Sequence, residues 1–414
     1  MSAARALDFE VMVVGGGVAG ATLAALLIKR GLCARGRIAL VADRFARLPQ
    51  PDADWDLRVF ALSRASERIL RAAGVWDSLP AAKLSAYEAM CVWDAASSPE
   101  GDGHLRFDCA ELGEPNLGFI VDGAVLQAAC VQAAQACGAS LIEAPLTAIA
   151  SGEAGISARL GNGREIRAQL IVGADGGESM VRTLLGIGTA GHSYEQDALV
   201  AHVHTSKPHR GTAWQRFLPG GPLAFLPLSD GRSSIVWSAP RAEAERLRAL
   251  DPQGFNAELT AASDAVLGDC RVSAGPASFP LKLQYALHYV QSRAVLLGDA
   301  AHIVHPLAGQ GLNLGLLDCA ALAQVLAEAR GPAQFGDMRM LRRYERWRRS
   351  ENLMAAAGLD GLERLFAGSG GVRATLRRAG LSVLERAPPL KRRLARQALG
   401  LAGDVPSLAK ADLS

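Results

Sequence analysis

The chain has 414 residues, half of them hydrophobic, with 44 glycines, 5% aromatic residues and a formal net charge of +3. That length accommodates two or three domains around a sizeable core. The composition points to a glycine-punctuated α/β globule and away from an aromatic-rich nucleic-acid binder, so no nucleic-acid partner is expected. The seven cysteines are scattered and form no C-x-x-C pair, which predicts reduced thiols and a cytoplasmic setting. The N-terminal segment lacks the pattern of a signal peptide, and its apolar residues belong to a strand. No apolar run reaches the roughly 18 residues of a spanning helix, so any membrane contact is expected to be peripheral, at the inner face.

Taken in order, Phe9 to Val14 is a short apolar run that ends in Gly15-Gly16-Gly17-Val18-Ala19-Gly20, and a helical stretch from Ala21 to Lys29 follows, closed by Gly31. Strand, G-x-G-x-x-G and helix in this order predict a dinucleotide-binding turn: Gly15 for the tight bend, Gly17 for close approach of a pyrophosphate, Gly20 for helix against strand. The second strand, Arg37 to Val41, is expected to end on a ribose-binding acid. Ala42 occupies the expected position and Asp43 comes one residue later, so Asp43 is the candidate. Arg58, in a loop before a helix from Ala65 to Ala73, is placed to neutralise a phosphate. Alternation between Tyr87 and Phe107 predicts strands, and a helix is expected from Ala124 to Ala136, with Cys130 and Cys137 sharing its buried face.

Leu170 to Arg182, LIVGADGGESMVR, delivers Asp175 into a glycine turn, with Ser179 and Arg182 opening the next helix, and reads as a second nucleotide-facing element. From about Ala198 to Phe279 the helical repeat fades into segments of an antiparallel sheet, a second domain inserted into the first. Ala294 to Leu297 is again an apolar strand, ending on Gly298 and Asp299. The loop beyond contains Pro306, Gly309, Gln310 and Gly311, and a helical pattern resumes at Leu312. Asp299 can accept hydrogen bonds from a polyol, and the backbone and helix start near Gly311 suit an electron-rich ring. The combination fits a reduced flavin on its ribityl chain. His302 and His305 are three apart with no third ligand nearby, and no metal is expected. Tyr194, His209 and Arg216 fall in the inserted domain and could touch a phenol, although structural or surface roles are the stronger expectation; no catalytic base is assigned.

Three motifs, GGGVAG at 15–20, GADGGES at 173–179 and GDAAHIVHPLAGQGLNLG at 298–315, resemble the class A flavoprotein monooxygenases. More narrowly the chain resembles the UbiH, UbiI and UbiF family of ubiquinone-biosynthesis hydroxylases and their eukaryotic counterpart. That match rests on DLRVFALSRASERIL at 56–70, LGFIVDG at 117–123, QRFLPGGPLAFLPL at 215–228, HPLAGQGLNLGLLD at 305–318 and LRRYERWRRSEN at 341–352. It departs from the family at Ala42, where an acid is usual, and at Asp122-Gly123, where Glu-Asn is frequent.

The resemblance implies an α/β fold like that of p-hydroxybenzoate hydroxylase: a Rossmann-type FAD domain, an interleaved antiparallel-sheet substrate domain and a helical C-terminus. The expected division is 1–85, 111–182 and 286–345 for the FAD domain, 86–110 and 183–285 for the substrate domain, and 346–414 for the C-terminal region. It implies FAD as cofactor, held by Gly15, Gly17, Gly20, Asp43, Arg58, Asp175, Gly298 and Asp299. Pro306 lies beside the flavin ring, and the backbone from Gly309 through Gly311 and Leu312 to Asn313 faces its pyrimidine edge. The implied reaction is ring hydroxylation of a polyprenylated phenol or benzoquinone precursor with O2, through a flavin C4a-hydroperoxide, with electrons from NAD(P)H or a protein donor and other quinone-biosynthesis proteins as partners. A monooxygenase of a soluble aromatic and a non-catalytic flavin-binding subunit are the alternatives. Between Arg342 and Arg396 there are 14 Arg and Lys against 5 Asp and Glu, and Leu390, Leu394, Ala398 and Leu401 form an apolar stripe on an expected helix from Leu390 to Leu401. Such a helix suits either anionic lipid or packing on the body of the protein.

Overall fold

Phe9–Val14 is buried at five of its six positions, as befits a strand covered on both faces, and it lies at the centre of an open sheet. The computed structural model describes residues 7–101, 103–304, 310–366, 385 and 387–410. Ala294–Leu296, Glu165–Gly173, Phe9–Val14, Ile38–Ala42 and Ser140–Glu143 run parallel in that spatial order. Helices Val18–Lys29, Gly123–Cys137 and Gln310–Leu326 join these strands in one core that includes Val13, Leu26, Leu40, Leu126, Ile171 and Leu316.

A second sheet has eight strands in the order His302–Ile303, Cys270–Ala286, Thr189–Thr205, Ser233–Pro240, Gly221–Pro227, Thr212–Leu218, Ala89–Asp94 and His104–Asp108. It is antiparallel except where Thr212–Leu218 lies parallel to Ala89–Asp94, so the expected antiparallel sheet is a mixed one. Its outer face buries Leu199, Leu223, Phe225 and Ile235 against two helices, Arg241–Ala249 and Pro252–Ala262. The sequence reading does not anticipate these helices. In the first, only Ala244 and Leu247 are buried, too thin a stripe to register as a helical period. A small third sheet sets Gly118–Asp122 between Val59–Ser63 and Leu84–Tyr87. The run at Val59 is therefore a strand.

Helix ends follow local chemistry. The first helix begins at Val18, three residues before the sequence expectation, because Gly17 is its extended N-cap; it closes at Arg30, with Gly31 just beyond in the left-handed region. Asp122 accepts a bond from the Val125 N–H and caps Gly123–Cys137, giving that departure from the family pattern a structural role. In the same helix Cys130 is buried and Cys137 only half-buried, so the two do not share the buried face equally; all seven cysteines are free. At the C-terminus a long helix, Met338–Phe366, is followed by Pro388–Ala398. The latter ends before Leu401, so the expected stripe is shorter; Leu390 and Leu394 remain 51% and 42% exposed. Two cations of the basic tail, Arg348 and Lys391, are buried. Among the described residues no helix is long and apolar enough to cross a membrane.

Candidate active site

The turn after Phe9–Val14 is built on close approach. Gly15 has φ of 119°, and a Cβ there would come 2.1 Å from the Ala174 carbonyl oxygen; a Cβ on Gly20 would come 2.1 Å from the Gly15 carbonyl oxygen. Gly17 differs, since a Cβ there would meet nothing within 4 Å. It faces a cavity of about 1400 Å³, into which the positive end of helix Val18–Lys29 opens. Gly20 does not line that cavity, in keeping with a packing role.

The other expected cofactor residues converge on the same space. Asp43, Arg58, Asp175, Gly298, Asp299, Gln310, Gly311, Leu312 and Asn313 all line it. Pro306 and Gly309 lie outside the described residues. Asp43 follows immediately on the end of strand Ile38–Ala42 and is exposed, as is Asp299 after its own strand. Arg58 precedes strand Val59–Ser63, with its guanidinium 4.9 Å from the centre of the Phe60 ring.

Some side chains carry a role different from the one their motif suggests. The Asp175 carboxylate accepts bonds from the Ser179 hydroxyl at 2.5 Å and the Val181 N–H at 3.0 Å, so it fixes the start of helix Met180–Leu184 at the cavity wall. Arg182 is buried and donates to the Ala300 and Gly177 carbonyls at 2.9 and 2.8 Å; it ties two loops together and does not face the cavity, contrary to the sequence reading. Asn313 accepts from the Ser63 N–H and the Ser66 hydroxyl and donates to Ala61. Its side chain is thus committed to the small sheet.

Behind the Asp299 turn lies a charged cluster that sequence reasoning missed. Asp318, fully buried in helix Gln310–Leu326, accepts from the Gly298 N–H at 3.0 Å and sits 2.6 Å from His302 Nε2. Its other oxygen accepts from Arg348 at 2.7 Å and Asn352 at 3.1 Å. Burial would raise this carboxyl, but His302 and Arg348 outweigh it and hold the pKa down at about 2. The carboxylate therefore pins both ends of the turn that offers Asp299 to the cavity. The only hint in the sequence is an acid inside the apolar run LGLLDCAAL.

The loop before Arg58 is pinned as well. Asp122 accepts from the Asp56 N–H, Lys83 donates to the Ala53 carbonyl, and His202 Nε2 lies 3.0 Å from the Asp56 carbonyl oxygen. Burial lowers the His202 pKa and favours the neutral ring, whose Nε2–H donates to that oxygen. Arg232 pairs with Asp54 and Asp230, and its guanidinium holds the Asp54 carboxyl down at about 2.

Across the cavity stands the inner face of the second sheet. Register aligns Gln215, Ala224, Val236 and Val200 in one row, flanked by Ala213 and Leu226 on one side and Pro222 and Ala198 on the other. Among the cavity-lining residues of this sheet none is charged. Tyr194, His209 and Arg216 do not line the cavity. Tyr194 donates to Asp360, His209 lies beside the Leu228 carbonyl, and Arg216 donates to Ala262 and Ala95.

A glycine turn with open space at Gly17, two helix N-termini and acids at two strand ends fit an FAD molecule, which Gly15–Ala19, Asp43, Asp299 and Gln310–Asn313 could hold. An FAD cradle facing an uncharged sheet across one cavity suits a flavin-dependent enzyme that acts on a neutral substrate. A family profile described as an FAD binding domain matches residues 8–355. The 3-demethoxyubiquinol 3-hydroxylase of Escherichia coli is 36% identical over 95% of this chain and 98% of its own, and ubiquinone hydroxylase UbiL of Rhodospirillum rubrum is 38% identical over 94% and 89%. Among solved structures, p-nitrophenol 4-monooxygenase PnpA of Pseudomonas putida shares the fold, with a TM-score of 0.76 at 18% identity, covering 95% of this chain and 99% of that one. The chain belongs to the FAD-dependent hydroxylase family that includes the enzymes of ubiquinone biosynthesis.

Proposed function

We propose that this enzyme hydroxylates the ring of a polyprenylated phenol or benzoquinone precursor of ubiquinone, using O2 and electrons from NAD(P)H or a partner protein. The observation that carries this reading is the uncharged face of the second sheet, continuous with the FAD cradle in one cavity. An apolar wall suits a neutral ring with a hydrocarbon tail and offers no cation for an acidic aromatic. When bound, FAD supplies the activation of O2 and the transfer of one oxygen atom to the ring. The chain's own residues bind, orient and exclude water. The N-terminal turn at Gln310–Asn313 would offer backbone N–H groups and a positive helix end to the flavin ring, Asp299 would hold the ribityl chain and Asp43 the ribose. On this reading 1–85, 111–182 and 286–345 are the FAD domain and 86–110 and 183–285 the substrate domain, although strand Leu84–Tyr87 crosses the first boundary and His302–Ile303 pairs with the second sheet.

Arg58 supplies positive charge beside the diphosphate. Arg58→Ala is expected to weaken FAD binding about tenfold at low salt, with a smaller difference at high salt, as measured by flavin fluorescence titration.

The C-terminal segment favours a membrane contact. Leu394, Ala395 and Leu399 line the cavity, Leu390 and Leu394 are exposed, and the exposed Arg392, Arg393 and Arg396 share their helix. Replacing the exposed Arg392, Arg393 and Arg396 by Gln is expected to leave FAD bound but to end sedimentation with anionic vesicles; retained sedimentation would remove the membrane role. The reaction itself is tested by mass spectrometry of quinone lipids in the host with and without the gene. Accumulation of a polyprenyl intermediate lacking one oxygen is expected, and an unchanged lipid profile would count against this function.

A further inference from the structure

We infer that Gln215 is the specificity-determining polar contact for an uncharged oxygen on the substrate ring. This inference rests on the function proposed above. Gln215 sits mid-strand in Thr212–Leu218, paired with Ala224 on one side and Val92 on the other. It is 7% exposed and lines the cavity, yet its carboxamide makes no hydrogen bond among the described residues. Its amide atoms are therefore open to the cavity, where a ligand polar group can replace water as their partner.

The neighbours on this face do not satisfy it. Ala213, Ala224, Val236 and Val200 present only hydrocarbon, and the other polar side chains that this sheet brings to the cavity are the short hydroxyls of Ser234 and Ser238 and the indole of Trp214. A carboxamide both donates and accepts, and therefore pairs with a phenol hydroxyl, a methoxy oxygen or a quinone carbonyl without requiring a charge. An arginine at this position would instead select a carboxylate through two parallel bonds. The residue type thus separates neutral ring oxygens from aromatic acids. Gln215 binds and orients the ring; it transfers no proton and touches no cofactor in this assignment.

The test uses the FAD-loaded full chain, a short-tailed neutral methoxyphenol and 4-hydroxybenzoate, with binding read from the change in flavin absorbance. Gln215→Leu keeps the volume and removes the amide. It is expected to weaken binding of the methoxyphenol by about tenfold to a hundredfold while FAD affinity stays unchanged. Gln215→Arg is expected to gain affinity for 4-hydroxybenzoate and lose it for the methoxyphenol. Equal affinity for the methoxyphenol in the unsubstituted enzyme and in Gln215→Leu would overturn the role of Gln215 alone, provided the unsubstituted enzyme hydroxylates that phenol. If the unsubstituted enzyme binds no neutral phenol at all, the proposed function falls together with this inference.

Discussion

Gly17→Asp is expected to yield a folded protein that no longer retains FAD. Gly17 has an extended backbone, φ −78° and ψ 179°, which any residue adopts, and a Cβ there meets nothing within 4 Å. Aspartate is moreover a favourable N-cap, worth about 0.3 kcal/mol over glycine to the helix behind it. The fold without cofactor therefore loses nothing. The same side chain occupies the space assigned to the diphosphate and sets a negative charge against it. Like charges brought together in an interface cost several kcal/mol, on the order of a thousandfold in affinity. Purified protein should be colourless, with an unchanged circular-dichroism spectrum and melting transition when compared with flavin-stripped protein. A yellow, FAD-loaded Gly17→Asp enzyme would place the diphosphate elsewhere.

Asp318→Ala is expected to cost stability on the scale of a broken buried ion pair, about 3–5 kcal/mol, because it leaves Arg348, itself only 1% exposed, without its anion. It also releases the Gly298 N–H and His302, so the Asp299 turn should loosen and FAD affinity should fall with it. Urea denaturation of flavin-stripped protein reads the first effect, and flavin titration the second. The pH dependence has a definite sign. In the folded chain the carboxyl sits at about 2, below its ordinary 3.8. Its stabilisation is therefore complete above the unfolded value and is lost as pH falls through about 2. Asp318→Asn should abolish that part of the acid sensitivity. A midpoint equal to that of the unsubstituted chain would show that Arg348 finds another partner.

The parts of the site legible from sequence are those where one residue type meets a local demand. Gly15 is required by its own φ of 119° and Gly20 by the Gly15 carbonyl inside the turn, so their spacing announces the strand, turn and helix before any tertiary information. Asp299 is likewise marked by its place at a strand end. Asp175 and Asn313 were recognisable as belonging to the site, but not the work of their side chains, which depends on neighbours such as Ser179 and, for Asn313, on Ser63 about 250 positions away. Arg348 counts as one more cation in a basic tail until the fold buries it beside Asp318. The helices Arg241–Ala249 and Pro252–Ala262 escaped for the same reason, since a short helix lying on a sheet needs only a few apolar residues. Gln215 opens the run QRFLPGGPLAFLPL, whose spacing assigns it no role. Its meaning comes from the row of alanines and valines that three strand pairings set around it.

The central claim is that the chain, loaded with FAD, inserts one atom of O2 into a neutral polyprenyl-type ring. Its most direct test is incubation of the FAD-loaded protein with reductant, labelled ¹⁸O2 and a short-tailed demethoxyubiquinol, followed by mass spectrometry of the lipid. One ¹⁸O atom in a product heavier by a single oxygen is the predicted result. Flavin that is reduced and reoxidised while the lipid stays unlabelled would contradict it.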